Sequence, residues 1–156
     1  FPLDREAVAR GLAGVSWPGR LEVIRREPLL VADGAHNCDS ARKLALALQE
    51  GFAFRRLILV LGTSADKDAA GIAAALAPKA SAVIATRSRH ARAADPGRLA
   101  AEARKHCPRV EVAPDLPSAL ALADAVATPS DLICVTGSLF IVADARDHCG
   151  LATERD

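Results

Sequence analysis

Short apolar runs alternate with helix-length amphipathic stretches along this 156-residue chain. The runs are Leu29–Asp33, Leu57–Leu61, Ala82–Ala85, Val110–Ala113 and Leu132–Thr136. A brief continuous apolar run that stops at turn residues is a strand covered on both faces. Strands separated by helices return to the sheet in parallel, through right-handed crossovers. One pair breaks the scheme. Leu21–Arg25 lies so close before Leu29 that the two can only be antiparallel neighbours, with the earlier strand at or near a sheet edge. The pattern therefore predicts an α/β fold, a three-layer Rossmann-like sandwich of about six mostly parallel strands with one antiparallel strand.

The helices follow from spacing and capping residues. A short helix is expected over Glu6–Leu12, then a turn-rich break at Ser16-Trp17-Pro18-Gly19. Asp39 or Ser40 is expected to cap a helix running through Gln49, with Leu44 and Leu48 on its buried face. Asp66-Lys67-Asp68 opens a second helix that stops near Pro78. A third spans Asp95–Lys105, with Pro96 in its first turn. A fourth runs over Leu116–Ala127, and a last one starts near Leu139. A long polar loop, Arg87–Ala94, separates the third strand-like run from its helix. Residues 1–17 read as a linker and helix entering the domain, 18–150 as the domain, and 151–156 as a tail. Phe1 in place of methionine suggests that the chain begins inside a longer protein.

Composition narrows the class. Hydrophobic residues make up 51% of the chain, too many for disorder, and aromatics only 3%, so the core must be aliphatic. A net charge of +1 gives no support for a nucleic-acid or membrane partner. No apolar run reaches membrane-spanning length, and no secretory pattern opens the chain. The cysteines, Cys38, Cys107, Cys134 and Cys149, show no metal-ligand spacing and read as reduced thiols of a cytoplasmic protein.

Candidate chemistry gathers where the strands end. In open α/β sheets ligands bind beyond the carboxyl ends of the strands. Asp33, His36 and Asn37 follow the Leu29 strand, with Gly34 allowing a tight turn. Thr63-Ser64, Thr86 and Gly137-Ser138 follow three of the others. Each has an ordinary explanation. Asp33 could bond the amides of its own turn, His36 could pack at a helix entry, and Ser138 could merely cap a helix. The alternatives are chemical. A carboxylate there suits ribose hydroxyls or a cation, and a histidine at a helix amino terminus lies where anions are favoured. Glycine followed by serine makes an anion-binding concavity. Lys67, in a helix start otherwise acidic, is either part of a solvated helix face or a contact for a carboxylate or other anion. Arg20 is either a surface charge or a planar fork for a phosphate or base. His90 and Arg92 could clamp an anion or do nothing. Cys38, at a helix start, reads as a modestly reactive thiol and not a nucleophile. The chain has no P-loop, no G-x-G-x-x-G fingerprint and no nucleophile elbow, so alone it has no device for holding and activating a triphosphate.

Several of these stretches together resemble one family. Pro18-Gly19-Arg20-Leu21-Glu22, Asp33-Gly34-Ala35-His36-Asn37, Asp66-Lys67-Asp68 and Thr136-Gly137-Ser138-Leu139 are similar to motifs of the carboxyl-terminal domain of folylpolyglutamate and dihydrofolate synthases. These are ATP-dependent amide ligases of the Mur ligase superfamily. Cys38 departs from the proline common there, and both residues fit a first helical turn. The resemblance implies a separate amino-terminal ATPase domain, outside this chain, carrying the P-loop, the Mg²⁺ sites and most of the folate site. It implies that Arg20 and Asp33 contact ATP, Asp33 at the ribose. His36 and Ser138 would face the incoming L-glutamate and the reacting phosphate, and Lys67 would help hold a carboxylate. The acceptor, a folate or dihydropteroate, would react as an acyl phosphate, and this domain alone would be inactive. Two other readings stand beside it: a Mur-type peptidoglycan ligase domain, and a non-catalytic α/β nucleotide-binding module.

Overall fold

A computed structural model describes residues 4–15 and 17–151. Ser16 of the expected turn and all of the expected tail except Leu151 lie outside the described residues. In chain order the elements are α1 (Arg5–Ala13), β1 (Glu22–Arg26), β2 (Leu29–Asp33), α2 (Cys38–Gly51), β3 (Leu57–Leu61), α3 (Ala69–Leu76), β4 (Ala82–Ala85), α4 (Pro96–Ala103), β5 (Val110–Val112), α5 (Leu116–Val126), β6 (Leu132–Thr136) and α6 (Leu139–His148).

The strands form one six-stranded sheet in the order β1-β2-β6-β3-β4-β5. Only β1 with β2 is antiparallel, the hairpin expected from their closeness, and a register shift between Val23 and Arg25 marks a bulge in the edge strand. The last strand in sequence, β6, lies between β2 and β3 and pairs in parallel with both. Strand residues alternate between two apolar layers. Val31, Leu59, Leu61, Val83 and Cys134 pack with Leu44, Leu48, Ile72, Leu76 and Leu99, so α2, α3 and α4 cover one face. Leu30, Ile58, Val60, Ile84 and Ile133 pack with Leu116, Leu120, Ile141 and Val142, so α5 and α6 cover the other. Each such leucine or isoleucine taken out of water contributes about 1.5–3 kcal/mol.

Two helix starts differ from the sequence expectation. Asn37, and not Asp39 or Ser40, caps α2. Its side chain accepts from the Ser40 amide at 2.8 Å, while the Ser40 hydroxyl accepts from the Asn37 amide at 3.1 Å. That reciprocal pair satisfies donors that the first helical turn would otherwise orphan. Asp66 and Lys67 stand ahead of α3, because Asp68 caps it by accepting from the Gly71 amide at 2.9 Å. Pro78 falls in a 3₁₀ turn, Ala77–Lys79, that ends this stretch.

The amino-terminal edge of the sheet is held by charge. The guanidinium of Arg56 makes a fork onto buried Asp131, with donor distances of 3.1 and 2.6 Å. Thr128 adds its amide and hydroxyl to the same carboxylate, each at 2.8 Å. The Arg56 hydrogen bonds hold the Asp131 carboxyl well below the usual carboxylate range. This clasp joins the segments entering β3 and β6 at the edge opposite the loops that carry candidate chemistry. No described helix is long and apolar enough to cross a membrane.

Candidate functional site

Sheet register lines up the strand ends. Asp33 is level with Thr136, Thr136 with Leu61, and Leu61 with Ala85. Beyond this row the turns bond sideways. The Gly62 amide donates to the Thr136 carbonyl at 3.0 Å, and the Gly137 amide to the Ala35 carbonyl at 3.0 Å. Gly137 has φ +109°, and a Cβ there would lie 2.6 Å from the Gly62 carbonyl oxygen. Only glycine allows the β3 and β6 ends to approach so closely. The result is a tight rim from which the loops rise.

Four of those loops enclose one opening of about 240 Å³. The β2–α2 turn supplies His36. The β3–α3 loop supplies Ser64, Asp66 and Lys67, the β4–α4 loop Arg92, and the β6–α6 turn Ser138, Leu139 and Phe140. His36, Lys67 and Ser138, far apart in the chain, are thus brought together. His36 Nδ1 lies 2.8 Å from the Gly34 carbonyl oxygen. A carbonyl can only accept, so Nδ1 carries the proton, and in the neutral ring Nε2 is the nitrogen left with a lone pair. Ser138 caps α6, its hydroxyl oxygen accepting from the Ile141 amide at 3.2 Å. Its ordinary role is therefore filled, and its O–H remains a donor for the opening. Lys67 lies 3.2 Å from Asp66 and holds that carboxyl below its usual range.

Arg20 and Asp33 lie elsewhere. They line a second, shallower depression of about 190 Å³, with Leu21, Ser40 and Lys43. Asp33 lies on the same rim as His36 and Ser138 but does not line their opening. Asp33 shares its face of the sheet with Val31 and so points toward α2. Its buried carboxylate accepts from the Ala35 amide and from the Leu21 amide, each at 2.9 Å. The turn-bonding reading of Asp33 thus holds, and a second segment is added to it. Each carboxylate oxygen retains acceptor capacity for a ligand hydroxyl.

The Pro18–Glu22 stretch is built as a latch around this carboxylate. Gly19 at φ +74° donates its amide to Glu22 Oε2 at 2.7 Å and accepts from the Gly34 amide at 2.8 Å. Glu22 is also ion-paired with Arg146 of α6. Glu22 and Gly19 therefore fix where the exposed Arg20 stands.

The long polar β4–α4 loop packs onto the rim. Ser64 and Ala93 form an isolated antiparallel bridge, and the Ala65 amide donates to the Arg92 carbonyl at 2.8 Å. Arg89 is held by Asp144 and Asp147 of α6. His90 stacks on Phe140 with ring centroids 3.7 Å apart, and Arg92 lies over the same ring at 5.5 Å. Nothing in the sequence places Phe140 beside these two. Cys38, at the first position of α2, is half-buried, and all four cysteines are free. Thr63 and Thr86, which follow β3 and β4, keep buried hydroxyl oxygens without a partner among the described residues.

The comparisons with known proteins agree on one family. A family model described as "Mur ligase, glutamate ligase domain" matches residues 19–139. A probable bifunctional folylpolyglutamate synthase/dihydropteroate synthase of Haloferax volcanii is 41% identical over 145 residues, covering 92% of this chain and 17% of that protein. A Mycobacterium tuberculosis folylpolyglutamate synthase solved with ADP superposes with a TM-score of 0.85 at 37% identity, over 99% of this chain and 36% of the other. A bifunctional folylpolyglutamate synthase/dihydrofolate synthase solved with Mn, AMPPNP and L-glutamate gives a TM-score of 0.82 at 31% identity, over 97% and 36%. The chain thus spans between about a sixth and a third of the length of these relatives.

Proposed function

The chain belongs to the Mur ligase, glutamate ligase domain family, and on that premise we propose that it is the carboxyl-terminal domain of an ATP-dependent ligase joining L-glutamate to a folate or dihydropteroate. The observation that carries this reading is the convergence of His36, Lys67 and Ser138 on one opening, with Arg20 and Asp33 in a depression beside it. At about 240 Å³ the opening lies below the usual range for drug-sized ligands and suits an amino acid better than a folate.

The division of labour follows from the two places. In the depression, Arg20 offers a guanidinium to phosphate or base, and Asp33 offers its remaining lone pairs to ribose hydroxyls. The neighbouring opening receives the amino acid. Lys67 attracts a carboxylate, and the Ser138 hydroxyl donates toward charge that develops as the amine attacks an acyl phosphate. Donors fixed in advance lower that barrier more than donors that must reorient. The lone pair of His36 Nε2 can take the proton that the amine loses on forming the amide. Holding amine and acyl phosphate in contact supplies the proximity term, and closing this domain over its ATPase partner keeps water from the acyl phosphate.

A divalent ion, when bound, would neutralise phosphate charge. Among the described residues no three His, Cys, Asp or Glu side chains converge to hold one. On the family resemblance we assign its protein ligands, like the P-loop, to an amino-terminal domain, and the isolated chain should be inactive.

The test is ATP- and folate-dependent incorporation of labelled L-glutamate by the full-length protein and by these residues alone. Incorporation by the former and none by the latter supports the reading. Turnover by the isolated chain, or none by the full-length protein, contradicts it.

A further inference from the structure

The opening offers two cations, Lys67 and Arg92, and one anion, Asp66. A dicarboxylic amino acid brings the complement, two carboxylates and one amino group. The cations differ in state. Lys67 is already paired with Asp66 at 3.2 Å, whereas Arg92 lies within electrostatic reach of the same carboxylate but makes no ion pair within 4.0 Å among the described residues. Building on the function proposed above, we infer that Arg92 is the residue that selects a dicarboxylic amino acid, by taking the carboxylate that a neutral amino acid lacks.

Arg92 is unpaired and yet held in place. Its carbonyl accepts from the Ala65 amide at 2.8 Å, and its own amide donates to His90 Nδ1 at 3.1 Å. The Ala94 amide, two residues on, donates to the Thr63 carbonyl at 2.8 Å. The guanidinium lies 5.5 Å from the centre of the Phe140 ring, while His90 stacks against that ring at 3.7 Å and an angle of 11°. A cation–π contact at this distance uses none of the guanidinium's N–H donors, so the fork can still meet a carboxylate with two parallel bonds. Its backbone is thus fixed before the ligand arrives, which reduces the entropy lost on binding. Lysine at this position would supply charge without the fork.

The experiment compares full-length wild type with Arg92→Gln and Arg92→Lys, measuring kinetics with L-glutamate and L-glutamine at saturating ATP and folate. Arg92→Gln should lower kcat/KM for glutamate by about 10- to 100-fold, the range for losing a charge-assisted hydrogen bond, mainly through KM. The glutamate-over-glutamine preference should fall by the same factor, KM for ATP should not move, and Arg92→Lys should fall between. An unchanged preference in Arg92→Gln, beside a wild type that ligates glutamate, overturns this assignment alone. A wild type that ligates no glutamate overturns the proposed function, and this assignment with it.

Discussion

Leu21 holds a left-handed backbone, φ +44°, while its amide donates to Asp33 Oδ2 at 2.9 Å. For a branched residue that conformation costs roughly 1–2 kcal/mol, and the buried carboxylate is what keeps it there. Asp33 therefore positions Arg20 through the chain, besides anything it offers to a ligand. The two residues should be energetically coupled. Asp33→Ala should destabilise the protein by about 1–3 kcal/mol. Leu21→Gly should cost more in the Asp33→Ala background than in wild type, because only where the carboxylate holds the positive φ does glycine relieve its strain, with a coupling of about 0.5–1 kcal/mol. Urea denaturation of the four proteins measures this, and simple additivity would show that the carboxylate does not restrain Leu21.

The clasp at the other end of the sheet makes stability depend on acid. Asp131 is buried, and its carboxyl sits well below the usual range because Arg56 hydrogen-bonds it. A folded-state value depressed below the unfolded one gives stability that is present above the unfolded value and lost as the pH falls through it toward the folded value. Asp131→Asn should therefore cost about 1–3 kcal/mol near pH 7, toward the low end because Arg56 is partly exposed. That deficit should shrink steadily below about pH 5. Denaturation curves for both proteins from pH 7 to pH 3 check it, and a deficit independent of pH would remove the carboxylate charge from the account.

Thr86 is fully buried, and its hydroxyl oxygen has no partner among the described residues. Valine has nearly the same shape and no polar group to desolvate. Thr86→Val should raise stability by about 1 kcal/mol, seen as a higher melting temperature. A lower one would mean that the hydroxyl has a partner in the working protein.

The fold was largely legible in the sequence, and the arrangement of the site only in part. Leu57–Leu61 and Leu132–Thr136 are apolar throughout, so burial on both faces and parallel pairing followed directly. The closeness of Leu21–Arg25 to Leu29 left only a hairpin, although the bulge after Val23 depends on tertiary contacts. Helix starts slipped by a residue or two where several capping residues compete, as at Asn37, Asp39 and Ser40. Lateral order was not legible. That β6 inserts between β2 and β3 is a property of the whole sheet, and it is what carries Ser138 toward His36 and Lys67. The split between the Asp33 and His36 openings follows from strand alternation, which puts Asp33 on the α2 face with Val31. Arg92 reached the site through the Ser64–Ala93 bridge, a contact for which the loop's sequence gives no pattern.

The separation of a nucleotide depression from an amino-acid opening is the centre of this account, and paired kinetics on the full-length protein test it most directly. Arg20→Ala should raise KM for ATP by about tenfold and leave KM for L-glutamate unmoved, while Lys67→Ala should do the reverse. If both variants raise both constants alike, or if the effects are exchanged, the two places do not have the separate roles assigned to them.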